Sequence, residues 1–308
     1  MKCVVPILFI LTSLLLFACR EQPMVDCTPT VPLNTSRGAC NQNLTPSSAY
    51  SESINGHTRV ITANNIPEHK VGLFGGGQGS LNPNAISPQN AVYRITTTPT
   101  KAASKTELLS SVGPVGAFGI LMNGVELDPI AAEPWPHQGM MAANVNWTWN
   151  LEATNVQLGL DCNNAHVQPT GKYHYHASPT LYLQSLNINT TTMTQIGWAA
   201  DGFPIYYKYG YSDPLDNTSA VVALTASYQL KTGERPGNGS DGPCGAYNGI
   251  YSNDYEYIPS LGMLDECNGR TGVTPEFPGG TYYYVITDEF PSVPRCLMGI
   301  PSNDFKLR

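Results

Sequence analysis

Short β-prone runs separated by turn residues limit the fold of this chain more than any other feature. Gly and Pro together account for 54 of the 308 residues, and Asn-Gly and Asp-Gly pairs recur between runs rich in aromatic and β-branched residues, which is typical of strands joined by turns. The candidate strands are 59–63, 91–97, 115–122, 173–176, 205–209 and 282–287. Two segments, 105–111 and 220–229, are candidate helices, but neither has a sustained apolar stripe. We expect a mainly β protein: one large, loop-rich, sandwich-like domain with few short helices.

The charge content excludes several classes of protein. Charged residues make up only 13% of the chain and 17 residues are Tyr, whereas disordered chains carry more charge and fewer aromatic residues. The net charge is −7, and the 16 basic residues form no cluster. Because nucleic-acid binding depends on concentrated positive charge, we do not expect a nucleic-acid partner.

The N-terminus predicts export. One positive charge at Lys2 precedes an apolar run over residues 4–17. At 1.5 Å per residue this run spans about 21 Å, which is too short for a membrane core of roughly 30 Å and fits a signal peptide at 1–18. The run ends in Leu-Phe-Ala-Cys, which resembles the lipobox of bacterial lipoproteins with Cys19 as the acylated residue. The alternative is an ordinary signal peptide followed by an accidental cysteine.

The mature chain divides into two parts. Residues 19–56 are polar and lack periodicity, so we expect a flexible tether between the lipid anchor at Cys19 and a folded domain at 57–308. Arg20 follows the cysteine where Asp would signal retention in the inner membrane. We therefore expect a periplasmic or outer-membrane-anchored protein.

Six cysteines remain in the mature chain once Cys19 is acylated. An even number in an exported chain predicts disulfides, and six cysteines allow fifteen sets of pairs. A local Cys27–Cys40 pair is the simplest guess, and the other pairings stay open. The six residues are Cys27, Cys40, Cys162, Cys244, Cys267 and Cys296.

One pattern occurs twice along the chain. Residues 160–163 (Leu-Asp-Cys-Asn) precede the Tyr-His-Tyr-His run at 173–176, and residues 264–268 (Leu-Asp-Glu-Cys-Asn) precede Tyr-Tyr-Tyr-Val at 282–285. The repetition has two explanations, an internal duplication or the chance reuse of a strand-and-turn pattern.

Three histidines close together suggest a metal site. On a strand, alternation sends His174 and His176 to one face and the tyrosines to the other, and His166 lies just upstream. Imidazoles that converge on one point favour zinc or copper, with Asp161 as a nearby candidate ligand. The alternative is that the histidines only form hydrogen bonds with neighbouring strands.

Asp201 has two interpretations. In Asp201-Gly202 it is a turn residue between two strands, or else it is a metal ligand, a general base or a residue that orients a histidine. His69 and His137 are interpreted as loop histidines. The sequence has no nucleophile elbow, phosphate-binding loop or His-Glu-x-x-His motif, so hydrolase and nucleotide chemistry lack a sequence signal.

These motifs resemble those of the YHYH domain family, and the resemblance extends over about residues 58–303. It is carried by the Asp-Cys-Asn-Asn-Ala-His segment at 161–166, the tetrapeptide at 173–176 and the Gly-Trp-Ala-Ala-Asp-Gly-Phe-Pro segment at 197–204. The resemblance implies an exported or lipid-anchored bacterial protein and no particular activity. Family members often carry Gly-Thr-Tyr-His-Tyr in the second copy, where this chain has Tyr283 in place of the histidine.

The sequence therefore leads to one main hypothesis and two alternatives. The main one is a cell-envelope lipoprotein that binds a divalent metal, copper or zinc, through His166, His174 and His176, with Asp161 or Asp201 assisting. The first alternative is a metal-assisted hydrolase or oxidase, in which a metal-bound water is activated. The second is a structural or glycan-binding surface module.

Overall fold

Short β-strands make up most of the regular structure. This computed structural model describes Cys27 and residues 31–142 and 144–307, so the expected signal peptide and Cys19 lie outside the described residues. The prediction of a mainly β domain is confirmed. The strands are β1 (Tyr50–Asn55), β2 (Thr58–Ala63), β3 (Ala91–Thr96), β4 (Thr106–Glu107), β5 (Leu109–Ser110), β6 (Gly113–Pro114), β7 (Gly119–Leu121), β8 (Glu126–Leu127), β9 (Pro134–Trp135), β10 (Asn146–Asn150), β11 (Ala165–Val167), β12 (Tyr173–Tyr175), β13 (Gln195–Ala199), β14 (Pro204–Tyr207), β15 (Tyr209–Tyr211), β16 (Val221–Ala223), β17 (Tyr228–Leu230), β18 (Tyr255–Tyr257), β19 (Gly269–Gly272), β20 (Thr281–Ile286) and β21 (Cys296–Leu297). The helices are α1 (Thr180–Ser185) and 3-10 turns at Ala153–Asn155, Ser252–Asp254 and Asn303–Phe305.

The largest sheet is built as two matching halves. Its strand order is β11-β12-β8-β7-β13-β14-β20-β19. The two central strands, β7 and β13, are antiparallel to each other, with Ile120 opposite Trp198. On each side of this central pair, the adjacent strand, β8 or β14, is antiparallel to the central one. The following strand, β12 or β20, is parallel to β8 or β14. The edge strand, β11 or β19, is antiparallel to its neighbour. The sheet therefore has a pseudo-two-fold axis between β7 and β13.

The connections repeat along with the strands. The turn at 121–125 leads from β7 to β8, and the turn at 199–203 leads from β13 to β14. In each turn the first N–H donates to the last carbonyl, at 3.0 and 2.9 Å. The fourth residue is a glycine with positive φ in both cases, +78° for Gly124 and +93° for Gly202, a backbone conformation that glycine adopts without strain.

The loops before the edge strands are also equivalent. In the loops at 161–165 and 265–269, the first N–H donates to the carbonyl of the fifth residue, at 2.8 and 2.9 Å. The fourth residue is Asn164 in one loop and Asn268 in the other, with φ of 55° and 52°. Asn is the non-glycine residue that tolerates this left-handed region best. The repeated sequence pattern therefore marks a repeated structure.

A three-stranded sheet in the order β1-β2-β3 covers part of the large sheet. Ile61 and Tyr93 of the small sheet and Ile120 and Leu121 of the large one belong to the same buried cluster. The Oη of Tyr93 also donates to a carboxylate oxygen of Glu126 at 2.6 Å. In this region the fold is two-layered, and the remaining strands form two-stranded pairs around it.

The described part of the expected tether is attached to the domain. Residues 50–55 belong to the predicted tether, but they form β1 and pair with β2 over six positions. Gly38 bridges Asp161, and Cys40 is bonded to Cys162. Because most of β1 is exposed, it lacks the apolar alternation by which strands are recognised in sequence.

The local disulfide guess is wrong. Cys27 pairs with Cys244 rather than with Cys40, Cys40 pairs with Cys162, and Cys267 pairs with Cys296. The pairs are separated by 217, 122 and 29 residues, so the topology of the sheet, and not sequence proximity, decides them. Three disulfides are typical of an exported protein.

Both expected helices are strands. The segment 105–111 contains β4 and β5, and the segment 220–229 contains β16 and the start of β17. The α-helix of the described chain instead occupies Thr180–Ser185 and buries Tyr182 and Leu183. Within the described ranges, no helix has the length and apolar character needed to cross a membrane.

Candidate metal centre

Two neighbouring strands bring the three histidines together. In the antiparallel pairing of β11 with β12, His166 lies opposite His174, and His176 follows β12 on the same face. The Nε2 of His176 lies 3.0 Å from Nε2 of His174 and 3.1 Å from Nε2 of His166. One ring nitrogen from each histidine lies within 4.8 Å of the others. The predicted convergence of the three side chains is therefore present.

Burial keeps these imidazoles neutral. His174 and His176 are each only 2% exposed, and burial lowers their pKa values well below the usual range. The neighbouring His166 lowers both pKa values further, because a second positive charge would be repelled. The pKa of His166 is also lowered by burial. Neutral imidazole is the form that coordinates metals.

The backbone directs the ring nitrogens. The Nδ1 of His166 lies 2.8 Å from the carbonyl oxygen of Leu158, and the Nδ1 of His174 lies 3.4 Å from that of Lys172. A carbonyl only accepts hydrogen bonds, so Nδ1 carries the proton in these rings. The Nε2 atoms consequently present lone pairs to the centre of the cluster.

Asp161 and Asp201 do not join the histidine cluster. The Asp161 carboxylate accepts hydrogen bonds from Tyr173 Oη at 2.8 Å and Gly72 N at 2.9 Å, and Tyr173 points away from the histidine face. Asp201 accepts from Tyr284 Oη at 2.6 Å in the other half of the sheet. Burial raises the pKa of both carboxyls. Both residues serve tight turns, as the turn interpretation of Asp201 predicts.

The second half of the sheet provides a comparison for the cluster. The pseudo-two-fold axis relates His166 to Arg270 and His174 to Tyr283. His166 lies opposite His174 in the first edge hairpin, and Arg270 lies opposite Tyr283 in the second. His176 corresponds to Val285, because both N–H groups donate to the carbonyl of the left-handed asparagine of their half. Arg270 Nε donates to Tyr283 Oη at 2.6 Å, and apolar side chains fill the remaining space.

A sequence model of one family, described as YHYH protein, matches residues 92–299. The chain belongs to the YHYH protein family. The resemblance stated from the motifs is confirmed. No curated protein and no solved structure is significantly similar to the chain.

This YHYH protein also carries a buried carboxylate, unmarked by any sequence motif, next to the strand that bears His174. Asp128 follows β8, is 3% exposed, and accepts a hydrogen bond from Gln168 Nε2 at 3.0 Å. Burial raises its pKa to about 7. No local motif marks this residue, because only the pairing of β8 with β12 places it beside the histidine-bearing strand, and that pairing joins segments more than forty residues apart.

The two predicted loop histidines of the YHYH protein, His69 and His137, lie outside the histidine cluster. His69 Nε2 lies 2.6 Å from Tyr175 Oη on the reverse face of β12. His137 stacks on Tyr251, with Nε2 3.1 Å from its hydroxyl. Each makes its own hydrogen bond with a tyrosine, and neither contributes to the cluster of three.

An open cleft of about 740 Å³ borders the segment that follows His176. Ser178 and α1 form one wall, the segment around Arg37 forms another, and Phe290 lies on a third. The polar groups of this cleft are largely engaged with one another; for example, Arg37 donates to Asn164 Oδ1 at 2.6 Å. None of the three cluster histidines lines this cleft.

Proposed function

We propose that this YHYH protein is an exported, lipid-anchored protein that binds a divalent metal ion through His166, His174 and His176, and that its role is binding or trafficking. The observation that carries the proposal is the convergence of three Nε2 atoms at 3.0 and 3.1 Å in a buried site.

A cation fits the centre better than hydrogen bonds alone. A neutral imidazole carries one N–H, and in His166 and His174 the backbone carbonyls hold that proton at Nδ1. Their Nε2 lone pairs both face Nε2 of His176, which carries at most one proton and can therefore donate to only one of them. Tetrahedral coordination with bonds of about 2.0–2.1 Å separates neighbouring nitrogens by about 3.3 Å, close to the 3.0 and 3.1 Å between Nε2 of His176 and the other two Nε2 atoms.

The donor set narrows the choice of metal. Three imidazoles without a thiolate suit zinc or copper, whereas calcium and magnesium prefer oxygen ligands. Copper or zinc therefore remains the proposed ion.

The fold itself does not require the histidines. At the equivalent positions of the second half, Arg270, Tyr283 and Val285 support the same hairpin. Three buried polar rings in contact cost stability unless they are satisfied, so their presence in only one half supports a binding role.

Metal analysis tests this proposal. The protein, prepared without a polyhistidine tag and exposed to Zn²⁺ or Cu²⁺ in separate samples, is expected to retain one equivalent after removal of free metal. His174→Ala/His176→Ala is expected to lose it, because a single remaining imidazole binds weakly. His57→Ala is the matched control, since His57 is exposed and outside the cluster.

Two results would reject metal binding. One is a metal-free wild-type protein after exposure to both ions. The other is an unchanged metal content in the double histidine variant that remains folded by circular dichroism.

Lipid anchoring is tested separately. Full-length protein expressed in a bacterium is expected to fractionate with membranes, and the mass of its N-terminal peptide is expected to show an acylated Cys19. Cys19→Ser is expected to release the protein into the soluble envelope fraction. An unacylated N-terminal peptide in the wild type would contradict the anchor and leave the metal proposal unaffected.

A further inference from the structure

One ring nitrogen of the cluster lacks the support that the others have. The Nδ1 atoms of His166 and His174 face backbone carbonyls. The Nδ1 of His176 is buried and makes no hydrogen bond of normal geometry to a described residue. The Pro129 carbonyl is close enough to raise the pKa of His176 slightly, but that oxygen also accepts a hydrogen bond from Arg295.

The sheet places a carboxylate beside this histidine. In the parallel pairing of β12 with β8, His174 lies opposite Glu126 and Tyr175 opposite Leu127. The Asp128 N–H continues the ladder by donating to the Tyr175 carbonyl at 2.9 Å. The next position in register is therefore Asp128 beside His176, with both side chains on the same face.

The second half of the molecule shows the same neighbours. There, Tyr206 pairs with Val285 in the parallel ladder, and these are the equivalents of Asp128 and His176. Their side chains pack in one buried cluster. The geometry of the fold thus brings these two positions into contact range.

Asp128 has an oxygen available for this role. Its Oδ2 accepts from Gln168 Nε2 at 3.0 Å. The backbone N–H of Ile130 is close enough to lower the pKa of this carboxyl, but Oδ1 is buried and has no hydrogen bond of normal geometry to a described residue. A buried carboxylate oxygen and a buried imidazole nitrogen that both lack partners, on adjacent strands, are a matched acceptor and donor.

We infer that Asp128 is a positioning residue of the proposed metal centre: its Oδ1 accepts the Nδ1–H of His176 through one bridging water, while Gln168 holds the other oxygen. This inference rests on the proposed metal binding. The hydrogen bond fixes the tautomer and orientation of the ring and makes Nε2 a stronger ligand, an effect worth about 10- to 100-fold in metal affinity in other proteins.

Competition titrations with Zn²⁺ and a chelating indicator test the inference. Asp128→Asn is expected to weaken binding by about 10- to 100-fold, and Asp128→Glu to restore part of it. Gln168→Leu, which keeps the carboxylate but releases Oδ2, is expected to give a smaller loss. Absorption of the Co²⁺-loaded protein is expected to shift in Asp128→Asn, because the ligand field of the reoriented imidazole changes.

Asp161→Asn is the matched control. Asp161 is equally buried and contacts β12 from the reverse face through Tyr173, so its substitution is expected to lower thermal stability while leaving Zn²⁺ affinity and the Co²⁺ spectrum unchanged.

The outcomes separate this inference from the proposed function. A folded Asp128→Asn with wild-type Zn²⁺ affinity and Co²⁺ spectrum overturns the role of Asp128, even when His174→Ala/His176→Ala abolishes binding. A wild-type protein that binds no metal overturns both.

Discussion

Asn123 and Asp201 occupy equivalent turn positions in the two halves, but their side chains form hydrogen bonds of opposite direction with a tyrosine hydroxyl. Asn123 Nδ2 donates to Tyr175 Oη at 2.8 Å, which leaves that hydroxyl to donate to His69 Nε2. Asp201 instead accepts from Tyr284 Oη. A single amide-for-carboxylate difference therefore reverses the direction of a buried hydroxyl proton.

Asp201→Asn is expected to destabilise the protein in a pH-dependent way. The carboxylate accepts from both Tyr284 and Gly299 through Oδ2, so an amide NH₂ at that position would face an N–H donor and cost roughly 1–3 kcal/mol. Burial raises the folded-state pKa of Asp201. Its contribution to stability is therefore complete below an unfolded pKa of about 3.9 and declines as the pH rises through the folded value.

Urea unfolding at a series of pH values checks this expectation. The difference in the free energy of unfolding between wild type and Asp201→Asn is expected to be largest in acid and to narrow towards neutral pH. A difference that widens as the pH rises would contradict the assignment.

Tyr283→His is expected to add no metal site, although it restores a histidine at the position equivalent to His174. The neighbouring positions hold Arg270 and Val285, which cannot complete a cluster, and the variant loses the 2.6 Å bond from Arg270 to the tyrosine hydroxyl. We expect a loss of about 1–3 kcal/mol in unfolding free energy and an unchanged metal stoichiometry. A second bound equivalent would show that one histidine suffices in this half.

At the scale of single residues, the sequence predicts that the three histidines converge, but it does not predict the part proposed for Asp128. Strand alternation places His174 and His176 on one face whatever the rest of the fold. Asp161 is close to them in sequence, but its turn directs the carboxylate to Tyr173 on the reverse face. Asp128 is distant in sequence, and only the β8–β12 pairing brings it near.

At the level of elements, strand pairing over long distances overrode local preference. The segment 105–111 was expected to be helical, yet β4 within it pairs with β21, which lies near the other end of the chain. The runs 59–63 and 91–97 were predicted correctly, because each has its own alternating or β-branched pattern. The local sequence around β4 contains no information about its partner β21, so local residue preferences do not predict that strand pair.

A buried ion pair fixes the loops between β17 and β18. Arg235 and Asp254 are almost fully buried, and two guanidinium nitrogens bond the carboxylate at 2.8 and 2.6 Å. Arg235→Met is expected to lower the unfolding free energy by about 3–5 kcal/mol, because it leaves an unpaired buried charge. Arg235→Met/Asp254→Leu is expected to recover part of this loss. Thermal and urea unfolding measure both, and a double variant less stable than the single one would contradict the argument.

At the scale of the whole molecule, the disulfides tie distant segments to the sheet. The Cys40–Cys162 bond joins the N-terminal segment to the loop that leads into β11, across 122 residues. Loss of this cross-link in Cys40→Ser/Cys162→Ser is expected to cost about 5 kcal/mol by chain entropy, against about 3.6 kcal/mol for Cys267→Ser/Cys296→Ser, whose loop is shorter. Equilibrium unfolding of both variants measures the ranking, and the reverse order would contradict it.

The composition and the family motifs anticipated a single β-rich domain, but the matched halves were visible in the sequence only in part. The echo between 160–176 and 264–285 covers the edge hairpins, where aspartate, asparagine and tyrosine recur. The central strands β7 and β13 share little sequence, because Ile120 and Trp198 pack in different surroundings, with Arg59 lying over Trp198 alone. Their equivalence is carried by backbone hydrogen bonds and by glycine positions.

The antiparallel contact of β7 with β13 is also the geometry by which two identical subunits join a sheet across a molecular dyad. Two half-length chains, each with one edge hairpin and one inner hairpin, would form the same eight-stranded order as a homodimer. In one polypeptide, each half has its own sequence, whereas in a homodimer a substitution occurs in both subunits. A substitution in one half then leaves the other untouched, so one hairpin can keep its imidazoles while its counterpart exchanges them for a packed tyrosine and arginine.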